Sequence, residues 1–136
     1  ALAGQRVAVN ICYEDAFGSE LRAQAAVATM LVNVTNDAWY GQSSAPFQHW
    51  ELASMRAIEQ GRYLARAANT GISGVVDPYG RAVAKTAVFE EAVVTAEVRF
   101  LQERTVYATI GDAVAQLSLA VAGLTVLWLL ATRRRA

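Results

Sequence analysis

"RVAVNICYEDAFGSEL", residues 6–21, is the stretch from which the rest of the chain is read. Val7, Val9 and Ile11 alternate with Ala8 and Asn10, the period-two signature of a strand with at least one buried face. The alternation stops at Cys12-Tyr13-Glu14 and a helical pattern follows. The single cysteine of the chain therefore stands at a strand-to-helix turn, which projects a side chain out of a sheet. The residues alone leave two readings of Cys12, a small inert packing residue or a nucleophile. As a thiolate beside a helix N-terminus it would attack acyl carbons. The backbone N–H of Tyr13 would then stabilise the oxyanion. Glu14 would orient a substrate or a basic partner, or else be a solvated carboxylate favoured by the helix dipole.

Outward from this turn, "GSELRAQAAVATM" predicts a helix with Ser19 as N-cap and Leu21, Ala25 and Ala28 on one face. "MLVNVTND" predicts a second strand with Met30, Val32 and Val34 on one side. The loop "NDAWYGQSSAP" follows, and then a helix "FQHWELASMRAIEQG" whose inner face is expected to hold Phe47, Trp50, Ala53 or Ser54, and Ala57 or Ile58. Gly61 stops it. "RYLARAANTG" predicts a third strand and "ISGVVDPYGRAVAKT" a hairpin turning at Asp77-Pro78-Tyr79-Gly80. "EEAVVTAEVRF" predicts a last strand. The order predicts a layered α/β domain.

Of the 136 residues 54% are hydrophobic, and the excess is concentrated in the last quarter. Residues 113–131 carry no charge and are long enough to cross a bilayer as a helix. Gln116, Ser118 and Thr125 are compatible with spanning. Arg133, Arg134 and Arg135 follow, so the positive-inside rule places the C-terminus in the cytoplasm and the domain on the opposite side. A domain so placed needs an export signal or earlier membrane helices, and "ALAGQRVAVN" reads as neither. The chain is accordingly expected to be the C-terminal part of a longer membrane protein, with a complete tail-anchored protein as the alternative. The expected division is a domain at 1–104, a connector at 105–112, a membrane helix at 113–131 and a basic tail at 132–136. A formal net charge of zero, with no basic patch outside that tail, argues against nucleic acid. One cysteine excludes an internal disulfide and a Cys-rich metal site, and no spacing suggests a metal or organic cofactor.

Other side chains are ambiguous on their own. His49, the only histidine, would be the base of a Cys–His pair, but nothing in the sequence brings it to Cys12. Trp39 and Tyr40 read either as an apolar substrate wall or as loop anchors packed on the core. Arg56, Glu59, Arg62 and Arg66 read as structural ion pairs.

Taken together, "ICYEDAF", "NVTNDAWYG" and "FQHWELASMRAIEQGRYLARAANTGISGVVDPYG" resemble the C-terminal part of the nitrilase (carbon–nitrogen hydrolase) domain. More narrowly they resemble its apolipoprotein N-acyltransferase branch, found in bacterial inner membranes. The resemblance implies part of an αββα sandwich followed by one C-terminal transmembrane helix. It implies a Glu–Lys–Cys triad in which the cysteine takes an acyl chain from a phospholipid donor as a thioester. The chain then passes to the α-amino group of a diacylglyceryl-cysteine apolipoprotein acceptor, with the lipid bilayer as the third partner. Cys12 matches the nucleophile, Tyr13 and Glu14 the supporting pair beside it, and Trp39 a loop aromatic near the substrate entrance. The triad's glutamate and lysine are expected upstream of Ala1; Lys85, the only lysine, is a poor substitute in the hairpin. "FGSE" departs from the family's "FPE". The implied location is the inner membrane, with the domain periplasmic. The alternatives are a membrane-anchored amidase or nitrilase, in which water resolves the thioester, and a degenerate module that only binds partners.

Overall fold

The computed structural model describes residues 4–133. The alternating run forms β1 (Val7–Ile11), and it is joined by β2 (Met30–Asn36), β3 (Leu64–Asn69), β4 (Gly74–Val76) and β5 (Ala82–Lys85) in one sheet of order β1-β2-β3-β4-β5. The first three strands are parallel, and β4 and β5 add antiparallel. Helices α1 (Gly18–Ala25) and α2 (Ala45–Gln60) make the two crossovers. Successive right-handed crossovers running in one direction put both helices on the same face.

Register explains where the core sits. Ala8, Leu31, Leu64 and Val76 form one row across four strands. Their exposures are 5%, 0%, 0% and 0%, and they pack under Leu21 and Ala25 of α1, Ala28 just beyond it, and Trp50, Ala53 and Ala57 of α2. The next row on this face, towards the carboxyl ends of the parallel strands, is Asn10, Asn33, Arg66 and Gly74. The apolar core thus gives way within two residues to a buried polar layer. The opposite face carries Val9, Val32, Ala65 and Val75, then Ile11, Val34 and Ala67. Val9, Ile11 and Val34 are 49%, 59% and 40% exposed. This uncovered apolar face makes the chain one helix-on-sheet half of the expected αββα sandwich. Met30, Val32 and Val34 do share a side, yet the packed side of β1 is the smaller Ala8 and the polar Asn10.

Several local expectations are corrected. Ser19 is not a cap: a 3-10 turn over Cys12–Ala16 runs almost directly into α1, whose N-cap is Phe17. Gly18 opens the helix because a Cβ there would lie 2.1 Å from Nη1 of Arg56. Any larger residue in place of glycine in "FGSE" would displace that guanidinium from its present position. The helix ends at Ala25, short of the expected span. Helix α2 begins at Ala45, and its Phe47 and Ile58 are 52% and 43% exposed. Gly61 stops α2 in the left-handed region, at φ 63°. The hairpin turn forms as read, with Gly80 N–H donating to the Asp77 carbonyl at 3.0 Å. Residues 90–100 are not a strand. Val94, Ala96 and Val98 are half-buried between exposed neighbours, so the alternation is real, but no strand pairs with it among the described residues. The connector contains a short helix, α3 (Val106–Ile110), whose N-cap Thr105 accepts from Ala108 N–H at 2.9 Å.

Helix α4 (Ala113–Arg133) has 21 residues, a mean hydropathy of 2.0 and no buried residue, which argues against a core helix. At 1.5 Å per residue it is about 31 Å long, the thickness of a bilayer's hydrocarbon. The hydroxyls of Ser118, Thr125 and Thr132 each donate to a carbonyl of the preceding turn, so these three groups are satisfied within the helix. Arg134 and Arg135, part of the expected basic tail, lie outside the described residues.

Leu64 stands at the centre of the packed row. Leu64→Ala is expected to destabilise the domain by about 2–5 kcal/mol, read from urea denaturation followed by tryptophan fluorescence. A loss well under 1 kcal/mol would contradict the assigned core.

Candidate active site

The parallel strands end together, and the turns leaving them converge. Cys12 follows β1 directly, is half-buried, and has φ 53°. Left-handed geometry in a residue with a Cβ costs on the order of 1–3 kcal/mol and persists only where the surroundings enforce it. One enforcing contact is local: Oε2 of Glu14 accepts from the Ile11 N–H at 2.7 Å. This places Glu14, exposed at the surface, as a brace on the turn.

Beneath the turn lies a cluster of four ionisable side chains. Asp15 leaves the Cys12 turn, Asp37 starts the 3-10 turn Asp37–Tyr40 after β2, His49 comes from α2 and Arg66 from β3. Their exposures are 0%, 1%, 1% and 4%. Arg66 donates through Nη1 to Asp15 Oδ2 at 2.9 Å and through Nη2 to Asp37 Oδ2 at 3.1 Å. His49 spans the same two carboxylates, Nδ1 to Asp37 Oδ1 at 2.9 Å and Nε2 to Asp15 Oδ1 at 3.1 Å. With both carboxylates ionised the two contacts require an imidazolium, because only that form donates from both nitrogens, and two negative charges then face two positive ones. Burial pushes the His49 pKa down and the Arg66 charge opposes protonation. The hydrogen bonds to Asp15 and Asp37 with the Asp15 charge outweigh them, and the value is raised from 6.5. Asn33 joins the cluster by accepting from Arg66 Nη1 at 2.7 Å.

The aromatic residues divide. The rings of Tyr13 and Tyr40 lie 5.7 and 5.8 Å from the His49 ring and roof the cluster. Burial and the nearby Asp37 carboxylate raise the Tyr40 pKa. Trp39 is 86% exposed and so is not packed on the core among the described residues. Cys12, Tyr13, Glu14 and Tyr40 are therefore gathered at one edge of the sheet. Lys85 is exposed in β5, beyond β4 in the sheet order. His49 is not disposed as a base for a Cys–His pair, because both its nitrogens are committed to carboxylates. Arg66 and the Arg56–Glu59 pair at 2.9 Å fulfil the ion-pair expectation. Arg62 does not: its guanidinium caps the carbonyls of Ala28, Gly61, Gln102 and Glu103. No group of three or more His, Cys, Asp and Glu fit to hold a metal ion occurs among the described residues.

Sequence reasoning missed Asp15, Asn33 and Asp37 and did not place Arg66 at the site. The available signal was an aspartate just past two successive strand ends, with asparagine on β2 and arginine on β3 in matching register. Gly71 belongs to the same arrangement, since a Cβ there would lie 2.1 Å from Oδ2 of Asp37.

Two expectations follow. Arg66→Met strands two buried carboxylates with one cation and is expected to cost about 3–5 kcal/mol, measured by chemical denaturation; a loss below about 1 kcal/mol, the scale of a surface pair, would refute the buried cluster. The second concerns pH. Because the folded His49 pKa is raised, its contribution is complete below the unfolded value of 6.5 and is lost as pH rises through the folded value. Denaturation midpoints should fall over that interval, and less steeply in His49→Gln. Equal slopes in the two proteins would contradict the assignment.

Comparison with known proteins shows what the chain and its fold resemble. The carbon-nitrogen hydrolase family model matches residues 1–108. The apolipoprotein N-acyltransferase of Methylococcus capsulatus is 48% identical over 110 residues, which are 81% of this chain and 22% of that protein. That of Ralstonia nicotianae is 47% identical over 139 aligned residues, 99% of this chain and 26% of that protein. The chain thus spans about a quarter of the length of these relatives. Among solved structures, the NitN amidase from Nesterenkonia sp. AN1 superposes with a TM-score of 0.52 at 28% identity, over 65% of this chain and 37% of that one. A mutant of the Nesterenkonia amidase, which carries the acetamide moiety of fluoroacetamide covalently added at its active-site cysteine, superposes with a TM-score of 0.51 at 28% identity, over 62% and 35%.

Proposed function

The chain belongs to the carbon–nitrogen hydrolase family, and we propose that it is the nucleophile-bearing part of a membrane-bound apolipoprotein N-acyltransferase. The observation that carries this reading is Cys12 itself, held in left-handed geometry at a strand end directly above a charge-balanced buried cluster. The identity to named N-acyltransferases and the apolar helix α4 support the lipid context.

In this reading the Cys12 thiol gives its proton to a general base and attacks the ester carbonyl of a phospholipid. The tetrahedral oxyanion is held by the Tyr13 N–H. Collapse expels the lysophospholipid alkoxide, which takes the proton from the base, and leaves an acyl thioester on Cys12. The α-amino group of a diacylglyceryl-cysteine apolipoprotein then attacks the thioester. The amine proton returns through the base to the departing thiolate, an amide forms and Cys12 is regenerated. The reading also requires a base glutamate and an oxyanion-holding lysine, the triad partners that the family resemblance implies. Trp39 and Tyr40 line the approach of the acyl chain. Helix α4 crosses the inner membrane with its basic end in the cytoplasm, which holds the domain at the periplasmic surface beside its lipid donor.

The second reading is a membrane-anchored amidase, which the solved amidase neighbours favour. There water resolves the thioester and ammonia is released. Intact mass spectrometry of the full-length protein in phospholipid micelles separates the two. An acyl-sized adduct that hydroxylamine removes and that Cys12→Ala lacks is the expected result. An unmodified protein that releases ammonia from amides would sink the phospholipid reading in favour of the amidase.

A further inference from the structure

We propose that Asn33 and His49 are positioning residues that aim the oxyanion donor by fixing the peptide unit between Cys12 and Tyr13; the proposal rests on the reading of Cys12 as an acyl-accepting nucleophile. The Cys12 carbonyl oxygen accepts from two side chains on different elements: Nδ2 of Asn33 on β2 at 3.2 Å and, at 3.3 Å, Nε2 of His49 on α2, whose one N–H is shared with Asp15 Oδ1 at 3.1 Å. Neither donor is free to turn away. The Asn33 amide is oriented by its other end, because Oδ1 accepts from Arg66, whose guanidinium has only donors to offer. The His49 ring is held through Nδ1 by Asp37.

Pinning this oxygen has a consequence on the other side of the peptide bond. No cis peptide occurs among the described residues, and in a trans peptide the C=O and the N–H point in opposite directions. With the Cys12 oxygen drawn down into the cluster, the Tyr13 N–H is turned away from it. That N–H is the second of the 3-10 turn Cys12–Ala16, and the first donors of a helical turn have no partner within it. The buried charges therefore set the direction of the donor from below, through the backbone, without touching the substrate. An oxyanion donor works only if it already stands about 2.7–3.1 Å from where the charge develops. A peptide held by two buried donors meets that requirement without reorganising during the reaction.

The test uses the full-length protein in detergent and two reagents for the same thiol. Iodoacetamide alkylates Cys12 by displacing iodide at a saturated carbon, so no oxyanion forms and the rate reports thiol reactivity and access alone. p-Nitrophenyl butyrate acylates Cys12 through a tetrahedral oxyanion and releases p-nitrophenolate as a burst. For Asn33→Ala the expected result is an acylation rate reduced roughly tenfold, a fraction of the ~10²–10³ that loss of a whole oxyanion donor costs, with alkylation within about twofold of the parent. His49→Gln, whose amide can still donate to the carbonyl, should acylate faster than His49→Ala. That pair keeps the test available if Asn33→Ala does not fold. Parallel loss of both reactions in every variant, or no loss of either, overturns the proposal while leaving the acyl-transfer reading intact. A parent protein that is alkylated at Cys12 but acylated by neither this ester nor phospholipid overturns both.

Discussion

The guanidinium of Arg66 bridges two carboxylates that have almost no contact with water, and the order of the site depends on that bridge. Asp15 and Asp37 come from turns that follow β1 and β2, while Arg66 lies on β3. One planar cation therefore ties three strand ends together. Two buried carboxylates sharing one cation would retain a net charge in a medium that solvates it poorly. The imidazolium of His49 supplies the missing charge and brings α2 into the same cluster.

The cluster also sets constraints beyond itself. Gly71 has no side chain because the Asp37 side chain occupies the space where one would begin. The apolar row Ala8, Leu31, Leu64 and Val76 stops one register step short of the charges, so helices α1 and α2 cover a core that is oily at one end and ionic at the other. The ionic end lies at the carboxyl ends of the parallel strands, where turns leave the sheet and ligand sites of open α/β sheets occur.

Among the described residues the open sheet face and helix α4 are both apolar and uncovered, and they differ in kind. The open sheet face presents Val9, Ile11 and Val34 at the period of a strand, a surface shaped for a second layer of sheet. Helix α4 is apolar all round, which suits a hydrocarbon environment better than a single packed side. A half sandwich followed by a long apolar helix accords with a chain spanning about a quarter of the length of the named relatives it matches.

By itself the sequence determined the elements and the chemistry that depends on residue type. The alternation of β1, the glycine stop of α2, the Asp77–Gly80 turn and the charge-free span after Asp112 are local properties, set by backbone sterics and by runs of side chains that water rejects. The Cys12-Tyr13-Glu14 turn was legible for the same reason. The tertiary structure decided everything that required two distant segments to meet. Which face of β1 was packed depended on helices that come later in the chain. Residues 90–100 kept their alternation and still formed no strand, because a strand is defined by the neighbour that completes its hydrogen bonds. The Asp15, Asp37, His49 and Arg66 cluster was hidden most completely. Its members are 12 to 51 positions apart in the pairs that touch, and a charged residue in a sequence looks solvent-bound until the fold removes the water around it.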